Sequence, residues 1–82
     1  MITVYVLRSL GNRKRYVGIT DNPDRRLQEH RRPSSTVGKL LGAFEVLQTE
    51  EFKDYVQARE REKFLKSGQG RKELDHKYPG YV

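Results

Sequence analysis

The sequence predicts a small α+β fold: a three-stranded antiparallel sheet flanked by helices, in the order β-β-α-(α)-β-α-α. Three observations point there. Two short runs rich in β-branched and apolar residues, 2–7 and 14–19, flank the turn residues Leu10-Gly11-Asn12. Capped, helix-like segments follow, interrupted by one more strand-like run over 43–48. The chain has 82 residues, 34% of them hydrophobic, which suffices for a thin core and one domain over 1–82.

The first two runs, ITVYVL and KRYVGI, read as a hairpin. A turn centred between Leu10 and Gly11 sets Val4 opposite Val17 and Ile2 opposite Ile19 on one apolar face. The other face then has Tyr5 opposite Tyr16 and Thr3 opposite Gly18, with the two phenols adjacent and Gly18 leaving space beside them. Asp21 or Asn22 is an N-cap and Pro23 a first helical residue for a helix over 23–31. Arg26 and His30, four apart, share a face of it, with Leu27 as the apolar anchor. The stretch Pro33-Ser34-Ser35-Thr36 breaks that helix, and a short helix over 37–41 ends at Gly42. Asp54 caps the longest helix, over 55–66, where Tyr55, Ala58 and Leu65 form an apolar stripe that includes Glu62. Ser67-Gly68-Gln69-Gly70 stops it by a glycine C-cap, 71–77 form a last short helix, and Tyr78-Pro79-Gly80-Tyr81 closes the chain.

Composition narrows the function classes. Seventeen Lys and Arg against eleven Asp and Glu give a net charge of +6. The isoelectric point is near 9.8, which favours a polyanionic partner. The charge is clustered at Arg13-Lys14-Arg15, Arg25-Arg26, Arg31-Arg32 and Arg71-Lys72. With no cysteine, neither a disulfide nor a thiolate zinc site can form. No run of membrane length and no leader-like start is present, so a cytoplasmic protein without a membrane partner is expected.

Five residues suit a site that grips and hydrolyses a phosphodiester: Tyr5, Tyr16, Arg26, His30 and Glu62. Taken singly, each has an ordinary explanation: strand packing for the tyrosines, a solvated helix face for Arg26, His30 and Glu62. Their joint pattern favours chemistry. An unpaired carboxylate in an apolar stripe is costly without a partner, which singles out Glu62, with Glu60 as the fallback. The fork of Arg26 suits a phosphate oxygen, Arg25 is a backbone-contacting neighbour, and Lys66 is a phosphate contact or a charge at the helix C-terminus. A free phenol titrates near 10, so using one as a base at neutral pH requires roughly 4 kcal/mol of preferential stabilisation of the anion. Tyr16 is favoured as the partner of the attacking water, with Tyr5 positioning the water or sharing the proton, and the roles of base and helper stay open between the two. His30 orients a tyrosine, serves as an alternative base or contacts phosphate, and His76 is surface.

These residues, together with the tripeptides Val4-Tyr5-Val6 and Tyr16-Val17-Gly18 and the run Arg61-Glu62 followed by Phe64-Leu65-Lys66, resemble the GIY-YIG nuclease family over nearly the full chain. The chain departs from the excision-repair branch, which carries a lysine just after the second tripeptide, where Ile19 stands here. Arg13, Lys14 and Arg15 are candidates to make good that cation. The resemblance implies a metal-dependent endonuclease hydrolysing DNA, with one Mg²⁺ or Mn²⁺ held by Glu62 and no small-molecule cofactor. It implies a 5′-phosphate and a 3′-hydroxyl as products. With no room for a target-recognition domain, selectivity for a flap, nick or branch, or a protein partner supplying specificity, is expected, in DNA repair, recombination or mobile-element processing. The rival classes are a catalytically weak or inactive nucleic-acid-binding module and an accessory subunit of the same fold.

Overall fold

In the computed structural model, residues 1–79 are described. The elements are β1 (Ile2–Ser9), β2 (Arg15–Thr20), α1 (Pro23–His30), α2 (Thr36–Leu41), β3 (Phe44–Phe52), α3 (Tyr55–Lys66) and α4 (Gly68–Lys77). The strands form one antiparallel sheet in the order β2-β1-β3, so the class and element order match the expectation.

Because β1 is central and covered on both faces, its run 2–7 is buried throughout. Alternation then sorts its side chains. Ile2, Val4 and Val6 point to one face and pack with Val17, Ala58, Leu65 and Leu74, which places α3 and α4 there. Tyr5 and Leu7 point to the other and pack with Val37, Leu41 and Phe44, with Leu27 and Tyr16 against them. A three-stranded sheet thus separates two small cores.

The hairpin register differs from the expected one. Tyr5 lies opposite Gly18, Leu7 opposite Tyr16 and Val4 opposite Ile19, a slip of two residues. The cause is a wider loop. The Ser9 backbone N–H donates to the Lys14 carbonyl at 3.0 Å, which closes the turn beyond Leu10 and Gly11. Ser9 Oγ accepts from the N–H groups of Gly11 and Asn12, and Asn12 Oδ1 accepts from the Lys14 N–H. A slip of two preserves the facing of every side chain, whereas a slip of one would have reversed it. The two tyrosines therefore still share a face, as diagonal rather than direct neighbours.

That register gives Gly18 its role. A β-carbon there would run into the ring and hydroxyl of Tyr5. The missing side chain lets the phenol lie across β2.

Elsewhere the strands are longer than expected. β3 continues through the polar Thr49-Glu50-Glu51 to Phe52, past a bulge: Val6 pairs with Gln48 but Leu7 with Val46, leaving Leu47 as the extra residue. Leu47 packs into the α3–α4 core. The stretch 49–51 lacks an apolar alternation because β3 is an edge strand, half exposed.

The helix starts are built as expected from local chemistry. Asn22 caps α1 by accepting from the Arg25 N–H, with Pro23 at the first helical position, and Asp54 caps α3 by accepting from the Gln57 N–H. Gly42, at φ 63°, ends α2. The 67–70 stretch corrects the glycine C-cap. Ser67, in extended conformation, ends α3 and its side chain caps α4 by accepting from the Gly70 N–H, so α4 begins at Gly68 rather than at Arg71. Gly70 is required by proximity: a side chain there would meet the Phe64 carbonyl and the Leu65 backbone. Tyr55 also departs from the expected stripe. It is 48% exposed at the first turn of α3, whereas Ala58 and Leu65 are buried. The closing turn read at 78–81 lies partly outside the described residues.

An ionic clamp joins the α3–α4 layer to the sheet. Arg61 on α3 bonds Glu50 of β3 through Nε at 2.8 Å and Glu73 of α4 through Nη2 at 2.8 Å. Glu50 in first place holds the guanidinium more firmly charged than usual. No helix among the described residues is long and apolar enough to cross a membrane.

Replacing Gly18 by alanine is expected to destabilise the fold by about 1–3 kcal/mol through forced displacement of Tyr5. Urea denaturation of the purified variant measures this. An unchanged midpoint would show that the ring is not seated against the Gly18 backbone.

Candidate active site

The face of the sheet that carries Tyr5 and Leu7 also collects most of the residues singled out above. β1 supplies Tyr5 and β2 supplies Tyr16; α1 crosses above them, and its last residue, His30, turns inward and is buried. The three rings form a triangle. Centroids are 6.2 Å apart for Tyr5 and Tyr16, 5.8 Å for Tyr5 and His30, and 5.5 Å for Tyr16 and His30, the last pair edge to face. Within the triangle the Tyr5 hydroxyl lies 2.7 Å from His30 Nε2, a buried hydrogen bond between groups 25 residues apart.

The ionisation of this cluster follows from its burial. Tyr5 is pushed well above the ordinary phenol range, first by burial, then by the Tyr16 phenol beside it; the Glu62 charge adds to this and the Arg26 charge opposes it. Tyr5 therefore keeps its proton at any physiological pH. His30 is pushed down from the usual imidazole value by burial and by the Arg26 guanidinium, against a smaller pull from Glu29. It is therefore neutral near pH 7 and has one N–H to give.

Two further groups complete the constellation. Arg26, one helical turn before His30, is close enough for its charge to act on both Tyr5 and His30. Its Nε is buried with no hydrogen-bond partner among the described residues. A buried guanidinium N–H left unpaired is uncommon, and an anion is the group that would satisfy it. Glu62 stands on α3 with its side chain 15% exposed, paired with Lys66 Nζ at 3.1 Å across one turn. Its charge is also felt at Tyr5.

The remaining candidates fall outside this group or beside it. Arg25 is 61% exposed and faces Asp21 and Glu29 at 3.9 and 3.7 Å, away from the rings. Glu60 and His76 are exposed. Arg15 reaches across to α4, where Nη1 makes an ion pair with Asp75 at 2.8 Å and Nη2 a long bond to the Arg71 carbonyl at 3.5 Å. Arg13 and Lys14 stand on the exposed hairpin turn next to Tyr16. Lys66 is tied to the site through Glu62.

The comparison with known families decides what this arrangement belongs to. The model of the GIY-YIG catalytic domain matches residues 1–75. The chain belongs to the GIY-YIG family. No curated protein and no solved structure matched it. GIY-YIG domains are nuclease domains, and here the first tripeptide, Val4-Tyr5-Val6, lies on β1 and the second, Tyr16-Val17-Gly18, on β2. The GIY-YIG register sets Gly18 of the second tripeptide directly under Tyr5 of the first. That gives the glycine a packing reason.

Among the described residues, no group of three or more His, Asp or Glu is placed to enclose a metal ion. A Mg²⁺-like ion does not need one. It takes one or two carboxylates and fills its other positions with water and substrate phosphate, so Glu62 by itself is a sufficient protein donor. Arg71 was visible in the sequence only as part of a basic cluster. Its place beside the hairpin turn depends on the fold of α4 against α3.

The lowered His30 value has a definite sign. The unfolded chain takes up a proton near pH 6.5 and the folded chain only at lower pH, so the contribution is fully present above about 6.5 and is lost as pH falls below it. Wild-type stability is expected to fall between pH 7 and 5.5 more steeply than that of His30→Gln, by at most about 1.4 kcal/mol per pH unit. Denaturant titrations across that range measure the difference. Parallel profiles would mean that His30 is not buried neutral.

Proposed function

We propose that this GIY-YIG domain is an endonuclease that hydrolyses DNA phosphodiester bonds with one divalent ion, Mg²⁺ or Mn²⁺, held at Glu62. The observation that supports this most directly is the buried Nε of Arg26, without a hydrogen-bond partner among the described residues, beside the Tyr5–Tyr16–His30 triangle. It marks a place for an anion next to groups that can manage a proton.

The roles follow from the environments. Tyr5 retains its proton and so does not act as the base. It can donate to the Tyr16 oxygen, while neutral His30 donates through Nε2–H to the Tyr5 oxygen, so the Tyr16 oxygen is left as the acceptor at the end of the relay. Tyr16, less buried than Tyr5, gives its phenol proton to solvent and, as the phenolate, accepts the proton of the attacking water. The water oxygen bonds to phosphorus, the bond from phosphorus to the 3′ oxygen breaks, and that oxygen takes a proton from solvent. A 5′-phosphate and a 3′-hydroxyl result. Arg26 holds a non-bridging oxygen and offsets the charge that grows there. An ion bound at Glu62 would supply further positive charge at the phosphate, and Lys66 would release the carboxylate to it.

The small site favours selectivity for a flap, nick or branch, or direction by a protein partner, in repair, recombination or mobile-element processing in the cytoplasm. The rival reading, a binding module of the same fold without turnover, draws on the Glu62–Lys66 pair, which already neutralises the carboxylate.

Labelled linear, nicked, flapped and branched DNA incubated with Mg²⁺, Mn²⁺ or EDTA separates the two. Metal-dependent cutting is expected, and Glu62→Ala should lower it by roughly a thousandfold, the scale of several kcal/mol of charge stabilisation. Binding without cutting on every substrate would favour the rival. The two tyrosines should also differ. Tyr16→Phe is expected to reduce the rate constant by about 10²–10⁴, the range for a general base. Tyr5→Phe keeps the ring and loses only the relay, so a smaller loss is expected in single-turnover kinetics. Equal losses would remove the distinction drawn between them.

A further inference from the structure

A pocket of about 520 Å³ lies between three segments: the hairpin at Leu10, the loop after α1 with Arg31 and Pro33, and the junction of α2 with β3 over 38–44. It shares no lining residue with the ring triangle, Arg26 or Glu62. Leu10 is 63% exposed, and Pro33, Gly42 and Ala43 are exposed too, so apolar surface stands open to water. Hydrogen bonds hold the walls. The Leu10 N–H donates to the Ala43 carbonyl at 2.8 Å, the Ser9 hydroxyl to the Leu41 carbonyl, and the Gly38 N–H to Ser35 Oγ at 2.9 Å. The pocket is thus formed before any ligand arrives. Its charged side chain is Arg31, the residue after His30. The guanidinium lies over the Phe44 ring, 4.7 Å from the centroid. Stacking takes up a face of the fork and leaves its N–H edge open. No carboxylate among the described residues pairs with it.

We propose that this pocket docks a short segment of a partner protein, one that inserts a large aliphatic side chain and sets an Asp or Glu beside it on Arg31. Charge complementarity selects the carboxylate: a positioned donor fork stands in a lining without an acid. The open surface of Leu10, Pro33 and Ala43 selects the aliphatic anchor. A volume in the small-ligand range, about 300–1,000 Å³, takes an anchor side chain and its neighbour rather than a flat face. Nucleic acid fits less well. Phe44 is 6% exposed and covered by Arg31, so its ring is not free for a base to stack on. Among the described residues, no Asn, Gln, Ser or Thr side chain lines the pocket to read a base edge. A second copy carries the same net charge of +6, which opposes self-association. The proposal stands whether or not the domain cuts.

The test follows amide NMR shifts of the isotope-labelled protein as three end-blocked tetrapeptides are added. One has two leucines between glutamates, one has two leucines between lysines, and one has two serines between glutamates. The glutamate–leucine peptide is expected to shift the amides of Leu10, Gly38, Gly42 and Ala43 saturably, and to bind about tenfold more tightly than either of the others. Arg31→Ala should weaken it about tenfold, the scale of one charge-assisted hydrogen bond. Leu10→Ser should weaken it as well, whereas Lys63→Ala, which removes an exposed charge on α3, should not. All three side chains are exposed, and circular dichroism checks that the variants fold. No saturable shift at these amides, or equal shifts from the lysine or the serine peptide, would overturn the proposal. So would a DNA oligonucleotide that shifts the same amides and loses its effect in Arg31→Ala, since the pocket would then belong to the nucleic-acid footprint. Shifts there that grow with protein concentration in the absence of peptide would assign it to a second copy and overturn the proposal likewise.

Discussion

Tyr5 is the side chain on which both the packing and the proposed chemistry depend. It is buried on the central strand, lies across the bare backbone of Gly18, and is held at its hydroxyl by His30 at the end of α1. Each of those contacts joins a different pair of elements. The phenol thus fixes the height of α1 above the sheet, and Arg26 rides on that helix. In a chain with two thin cores, one ring that organises an entire face has a disproportionate effect. The other face has an equivalent in Arg61, which ties β3, α3 and α4 through Glu50 and Glu73 and so sets where Glu62 stands.

Burial also sorts the two tyrosines chemically. On a polar surface they would be near equivalents. Here one is enclosed, with its ionisation suppressed, and the other stands at the mouth of the site. The imidazole is kept neutral by its own burial and by the nearby guanidinium. One low-dielectric pocket thereby sets two protonation states at once.

Much of the fold was legible because its signals are local. Asn22, Pro23 and Asp54 announce helix starts through side-chain hydrogen bonds that reach only three residues. The alternation in β1 and β2 assigned Tyr5 and Tyr16 to a common face even though the register was off by two, because facing repeats every second residue. What escaped depended on contacts distant in sequence. The width of the hairpin loop is set partly by the bond from the Leu10 N–H to the Ala43 carbonyl, which no local pattern encodes. The extension of β3 through Thr49-Glu50-Glu51 is stabilised by its pairing with β1 and by Arg61. The helical start at Gly68 depends on close approach to Phe64 and Leu65. For the site, the family pattern indicated which residues to gather. No local pattern signals that Arg26 Nε has no hydrogen-bond partner among the described residues or that Arg25, one position away, turns outward to Asp21 and Glu29.

The bond between Tyr5 and His30 also couples integrity to action. Its two ends come from the middle of the sheet and from the far end of α1, so it survives only while the hairpin, the first helix and the core beneath them are all in place. A chain that has opened locally can still present its arginines and lysines to a polyanion, since those lie on the outside. In the mechanism proposed above, it can no longer aim a proton acceptor at a phosphate. On that reading attraction is tolerant of partial disorder while scission is not, and a damaged or half-folded copy would cling to nucleic acid without harming it.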